Sequence, residues 1–130
     1  MMSMQTIHFL NDVCCVFMRK AKRGTAMRAI VYERFGSARD VLQLQELPIP
    51  QVEEGQVVVR LRTSGVNPSD IRARAGGRPG ITKPPFPTIV PHSDGAGVIE
   101  QVGKEVSSSR IGERVWIWNG QWRRAFGTAA

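Results

Sequence analysis

Residues 91–103, PHSDGAGVIEQVG, constrain the fold of this chain more than any other stretch. A polar cluster of His92, Ser93 and Asp94 runs into Gly95 and Gly97. Beyond it comes an alternation in which Val98, Glu100 and Val102 oppose Ile99, Gln101 and Gly103. A period of two is the mark of a half-buried strand, and glycines at its entrance remove side chains where the backbone must turn or let another group come close. The polar cluster is therefore expected at a strand end, where a site can be built. A dinucleotide-binding loop is not expected here. Glu100 stands where such a loop needs its third glycine, and no apolar strand leads into Gly95.

The rest of the chain is punctuated in the same way. Residues 27–32 alternate as a first strand, with Met27, Ala29 and Val31 on one side, and end at Phe35-Gly36-Ser37. Residues 41–47 alternate next, with Val41, Gln43, Gln45 and Leu47 opposing Leu42, Leu44 and Glu46, until Pro48-Ile49-Pro50 bars further pairing. After the turn signal Glu53-Glu54-Gly55, residues 56–63, QVVVRLRT, form the most strand-like segment, with Arg60 and Arg62 expected to point outward. Residues 64–80 leave room for one short helix near 68–75, with Pro68 suited to its first turn and Asn67 or Ser69 to its cap. Lys83-Pro84-Pro85-Phe86-Pro87 cannot join a ladder and is expected as an extended loop over the body. Strands resume over 97–102 and 114–119. Many short strands, frequent Gly and Pro turns and no long helical period predict a mostly β fold, a closed or partly open β-barrel with short helical segments.

Length and composition bound the function. A chain of 130 residues with 42% hydrophobic and 22% charged residues forms a globular domain with a core of its own, without metal or disulfide. The net charge of +7 is spread along the chain, which reads as a solvated basic surface. A stand-alone β-barrel module binding RNA is the alternative this charge suggests, although no aromatic residues are interleaved with the basic ones as a base-stacking platform requires. Cys14 and Cys15 are adjacent, so they can hardly grip one metal together or form an ordinary structural disulfide, and cysteine usage fits a reducing, cytoplasmic setting. Residues 1–26 differ in character from residues 27–130. Their apolar run is interrupted by Asn11 and Asp12, is too short to span a membrane, and precedes its positive charges where a signal peptide would place them first. They are expected to be a flexible leader, with organelle targeting only weakly suggested, ahead of a domain over 27–130.

Residues 91–103, together with SGVNPSDIRARAG at 64–76 and IGERVW at 111–116, resemble the zinc-independent quinone oxidoreductases of the medium-chain dehydrogenase/reductase superfamily. The resemblance covers 27–130 and implies an incomplete GroES-like domain, a partly open β-barrel that stops before the Rossmann domain of such an enzyme. It implies NADPH as cofactor, tightly bound only with that further domain, and a small quinone or conjugated carbonyl as substrate. Expected partners are the Rossmann domain and a second copy in a full-length homodimer, with no membrane and no nucleic acid.

The resemblance also assigns candidate residues. Zinc alcohol dehydrogenases of the same superfamily carry Cys at the position of Asn67 and His at that of Ser93, because zinc is held by thiolate and imidazole. Amide and hydroxyl replace them here, so no zinc is expected. Asn67, a donor and acceptor at once, is the candidate for contacting the cofactor near its nicotinamide and ribose, with Ser69 beside it. Arg72, Ser93 and Asp94 are candidates for the substrate pocket, Arg72 lying near the place where several relatives carry tyrosine. No Ser/His/Asp set can be argued, since the chain holds only His8 and His92, and His92 reads as a hydrogen-bonded structural or rim residue. Catalytic residues stay unassigned. Trp116, Trp118 and Trp122 read as barrel packing or an exposed rim.

Overall fold

A computed structural model describes residues 13–16, 26–77 and 79–120. Its elements in chain order are β1 (Val13–Val16), β2 (Ala26–Val31), a single helical turn α1 (Ala38–Val41), β3 (Gln43–Pro48), β4 (Val57–Gly65), α2 (Pro68–Ala75), β5 (Asp94–Val102), a 3-10 turn (Ser108–Arg110) and β6 (Arg114–Ile117). The described strands form two sheets, one of four strands in the order β1-β4-β5-β6 and one pairing β2 with β3. The fold is mostly β with short helices, as expected, and the described strands form two sheets that do not close into a barrel.

The three valines of β4 explain why the two sheets come together. Val57, Val59 and Leu61 pack with Ile99 of β5 and Ile117 of β6, while Val58 faces the other way onto Met27 of β2, with Leu47, Ile49 and Val52 around it. A strand buried on both faces needs a continuous apolar run, which Val57–Val58–Val59 supplies. At 2%, 1% and 0% exposure, each contributes the full transfer of a valine side chain, about 1.5–3 kcal/mol. In β2, Met27, Ala29 and Val31 are buried while Arg28 and Ile30 are exposed, as the alternation predicts. Tyr32 then bridges to Ile89, whose N–H and carbonyl each bond to it at 2.9 Å. This contact ties the proline-rich loop down.

Three expectations, on Val41, on Arg60 and on the start of the strand after the polar cluster, need correction, and one short strand falls within residues 1–26. Val41 does not open a strand; it closes the helical turn α1, buried against Tyr32 and Ile89, and pairing starts only at Gln43. Four residues of the leader, Val13–Val16, lie parallel to Val57–Arg60, so those four have a pairing partner; residues 1–12 and 17–25 lie outside the described residues. Arg62 points outward, but Arg60 is half-buried, its Nε 3.9 Å from Glu100 Oε1. The strand after the polar cluster begins at Asp94 and not at Gly97, which puts Asp94 on the sheet itself.

Two irregularities in the β4–β5 ladder shape the end where the polar cluster lies. The register shifts between Val58 and Val59 and again between Leu61 and Thr63, after which Thr63, Ser64 and Gly65 pair with Ala96, Gly95 and Asp94. Such bulges bend a strand and re-aim its end. Close approach there depends on glycine: a Cβ on Gly97 would collide with the Arg60 carbonyl, and one on Gly95 would sit 2.9 Å from the Thr63 carbonyl oxygen.

Candidate functional site

The bent end of the β4–β5 ladder delivers two segments to one place. Gly65 pairs with Asp94, so the next two residues, Val66 and Asn67, carry the chain across the start of β5 into α2. Pro68 takes the first helical position, where its missing N–H costs nothing, and Asn67 is the N-cap. Asp70 lies on the first turn and reaches back: the Asn67 N–H donates to its Oδ2 at 2.7 Å. Gly76, at φ 80°, ends the helix in the left-handed conformation.

Asn67 also crosses to the other segment. Its Nδ2 donates to Asp94 Oδ2 at 2.7 Å. A carboxylate only accepts, so this bond sets which end of the amide faces the strand. Asp94 Oδ1 accepts from the Asn119 N–H at 3.4 Å, and the Gly120 N–H donates to the Ser93 carbonyl at 2.8 Å, which fastens the segment after β6 to the same place. Ser93 Oγ donates to Asp70 Oδ1 over 3.4 Å. Asp70 is therefore bonded to both segments, and at 5% exposure it is the buried charged residue among the described ones.

Asn67, Ser69, Ser93, Asp94, Trp118 and Asn119 line an open cleft of about 320 Å³. The sequence-derived candidates Asn67, Ser69, Ser93 and Asp94 thus come together, from the helix cap and the strand end. Arg72 does not join them; it is exposed on α2, its stem against Gly77. Trp118 and Asn119 are additions that the sequence-derived candidates do not include. The signal for Trp118 lies in continuing the β6 alternation one step beyond the strand, since Val115 and Ile117 turn inward and Arg114, Trp116 and Trp118 are exposed; Asn119, also exposed, breaks that alternation. His92 takes φ 87° and its Nδ1 lies 2.8 Å from Ser64 Oγ, which places it beside the cluster as a hydrogen-bonded turn residue.

The donor set does not suit zinc. Asn67 and Ser93 present an amide and a hydroxyl, the amide is engaged by Asp94, and no three His, Cys, Asp or Glu side chains converge among the described residues. It does suit the nicotinamide end of a dinucleotide, since amide and hydroxyl groups complement a carboxamide and ribose hydroxyls. It does not suit the pyrophosphate, because the N-terminus of α2 is already satisfied by the Asp70 carboxylate, which repels a second anion. No helix among the described residues is long and apolar enough to cross a membrane.

The site is thus a polar cleft between a capped helix and a glycine-entered strand in a mostly β unit. The chain belongs to the alcohol dehydrogenase GroES-like domain family, whose model matches residues 53–127. It is 42% identical over 91 residues to a quinone oxidoreductase of Lama guanicoe, covering 69% of this chain and 26% of that protein. An alcohol dehydrogenase of Geobacillus stearothermophilus is 38% identical over 91 residues, 70% of this chain and 25% of that protein. A Bacillus thuringiensis crystal structure described as a candidate NADPH:quinone reductase matches with a TM-score of 0.62 and 32% identity, over 72% of this chain and 27% of that one. The chain thus spans about a quarter of the length of the curated relatives it matches.

Proposed function

We propose that this chain provides the substrate-side domain of a zinc-independent, NADPH-dependent oxidoreductase of the cytoplasm that reduces small quinones or conjugated carbonyls. The observation that carries the reading is the pair Asn67 and Ser93 facing one cleft from two segments, each tied to Asp70 or Asp94. Its likeness to a quinone oxidoreductase and to a candidate NADPH:quinone reductase supports it.

NADPH, when bound, supplies the hydride. The residues of this chain do the positioning. Asn67 is held by Asp94 before anything enters, so its amide needs no reorganisation to receive a ring carboxamide or ribose. Ser69 adds a hydroxyl from the same helical turn. On the opposite wall the Ser93 hydroxyl bonds Asp70 only loosely, at 3.4 Å, and can turn to donate to a carbonyl oxygen as negative charge develops on it. Tight cofactor binding requires a nucleotide-binding domain joined to this one, with its own glycine-rich helix N-terminus for the pyrophosphate.

Steady-state NADPH oxidation tests the reading, with this domain joined to a nucleotide-binding domain of the same family and 1,4-naphthoquinone or 2-cyclohexenone as acceptor. Asn67→Ala is expected to lower kcat/KM about 10–100-fold, the loss of one or two positioned hydrogen bonds. Lys104→Ala is the control, since Lys104 lies past the far end of the nine-residue β5, on the order of 30 Å from Asp94. Equal effects of the two changes remove Asn67 from the site, and no NADPH oxidation with either acceptor overturns the assignment.

A further inference from the structure

His92 is held in a conformation that its own side chain disfavours. Its φ of 87° lies in the left-handed region, which crowds the Cβ of any residue but glycine. Among the described residues, Glu105 and Asn119 are the other non-glycine residues with positive φ. Glu105 stands past the far end of β5, in a turn that the Val106 N–H closes onto the Gly103 carbonyl at 3.3 Å. His92 instead stands at the cleft, as the joint between two fixed segments. Before it, Ile89, Val90 and Pro91 are buried, Val90 with Ala29 and Val31. After it, Asp94 pairs with Gly65 on the sheet, with only His92 and Ser93 between. Backbone strain persists where the surroundings over-determine it, and it clusters at functional sites. The side chain adds a third tie. His92 Nδ1 and Ser64 Oγ, both part-buried, are hydrogen-bonded at 2.8 Å, a bond that reaches from the turn back to the last rows of the β4–β5 ladder. His92 does not line the cleft, whereas Ser93, the next residue, does.

We infer that His92 is a positioning residue, which through its bond to Ser64 holds the strained turn that sets Ser93 on the wall of the cleft. The use of Ser93 toward a substrate carbonyl rests on the proposed function; the holding of Ser93 does not. A φ in the ordinary negative range would send the chain on from His92 in another direction. Both ties of Ser93 would go with it, the Gly120 N–H on its carbonyl at 2.8 Å and its hydroxyl on Asp70 Oδ1 at 3.4 Å. Glycine at position 92 adopts the same φ without strain, but without the ring it is free to leave it. That replacement therefore acts in two opposite directions, relieving the chain as a whole and loosening Ser93. A histidine of merely structural use would lose stability and local order together.

The test is amide hydrogen exchange of the full chain, followed by heteronuclear NMR, in the parent and in His92→Gly and Ser64→Ala, with urea unfolding of each. The Gly120 N–H, bonded to the Ser93 carbonyl, reports the turn, and the Ile99 N–H, bonded to the Glu113 carbonyl at 3.0 Å, reports the sheet. In both variants Gly120 exchange should quicken about 5–10-fold relative to Ile99, the scale of one hydrogen bond, while the urea midpoint of His92→Gly stays at or above that of the parent. A Gly120 amide unprotected in the parent, or unchanged relative to Ile99 in either variant, overturns the inference. So does His92→Gly loosening both amides alike with a fall in the urea midpoint. In the protein joined to a nucleotide-binding domain, Ser64→Ala should lower kcat with 2-cyclohexenone about 5–10-fold, leave KM within about twofold, and have no further effect once Ser93→Ala is also present. Equal losses with and without Ser93→Ala overturn the action through Ser93. If the joined protein oxidises no NADPH the proposed function falls, while the exchange data still decide whether His92 and Ser64 hold Ser93.

Discussion

Replacing Asp70 with alanine is expected to lower the stability of the chain by about 2–3 kcal/mol. The magnitude comes from the groups its carboxylate touches. Oδ2 accepts from the Asn67 N–H at 2.7 Å, and a hydrogen bond to a charged group contributes about 1.5–3 kcal/mol. The carboxylate also lies in the first turn of α2, where the helix dipole favours negative charge by about 0.3–1 kcal/mol. The Ser93 contact at 3.4 Å is too long to add much. Because Asn67 is half-buried, its released N–H reaches water only in part, which keeps the total from falling much below the sum. Asp70→Asn retains an acceptor oxygen and should cost about half as much, near 1 kcal/mol. Urea titration followed by circular dichroism measures both: the midpoint should fall while the slope m stays constant. In thermal unfolding, each kcal/mol should appear as a shift of roughly 4–8 °C in Tm. Stabilities of both variants within about 0.5 kcal/mol of the parent, the range of an ordinary surface change, refute the reasoning, because the Asp70 carboxylate would then not be the partner on which the Asn67 N–H and the start of α2 depend.

Gly97→Ala should cost about 3 kcal/mol or abolish soluble expression, since its Cβ would be driven into the Arg60 carbonyl of the paired strand. Gly55→Ala, at φ 73° but with open space around it, should cost only about 1–2 kcal/mol, and urea midpoints compare the two directly. The purified chain is expected to hold no stoichiometric zinc, because Asn67 and Ser93 offer neither thiolate nor imidazole. Elemental analysis finding one zinc per chain, resistant to mild chelation, overturns the zinc-independent assignment.

The features legible in the sequence, and those that are not, divide by how local the cause is. The helix over 68–75 can be read because its signals are adjacent: Pro68 at the first position, an Asn before it, and Gly76 just past its end. The period-two burial of β2 can be read for the same reason. Val41 misleads because alternation over 41–47 continues unbroken into it, while the Ser37 and Asp40 that favour a helical turn speak more quietly than the pattern. The partner of Val13–Val16 is not legible, since a parallel pairing with Val57–Arg60 leaves no adjacent turn signal to mark it. The site shows the same division more sharply. Asn67, Ser69, Ser93 and Asp94 stand in two motifs that can each be read alone. Their meeting depends on the register shift between Leu61 and Thr63, which no residue type announces. Gly95 and Gly97 bear part of that information, because they mark where the strands come close enough for the shift to matter. Trp118 and Asn119 lie at the end of this chain of dependence. They reach the cleft because Asp94 and Ser93, once placed, offer acceptors to the N–H groups of Asn119 and Gly120, so this side of the site is a consequence of the polar wall.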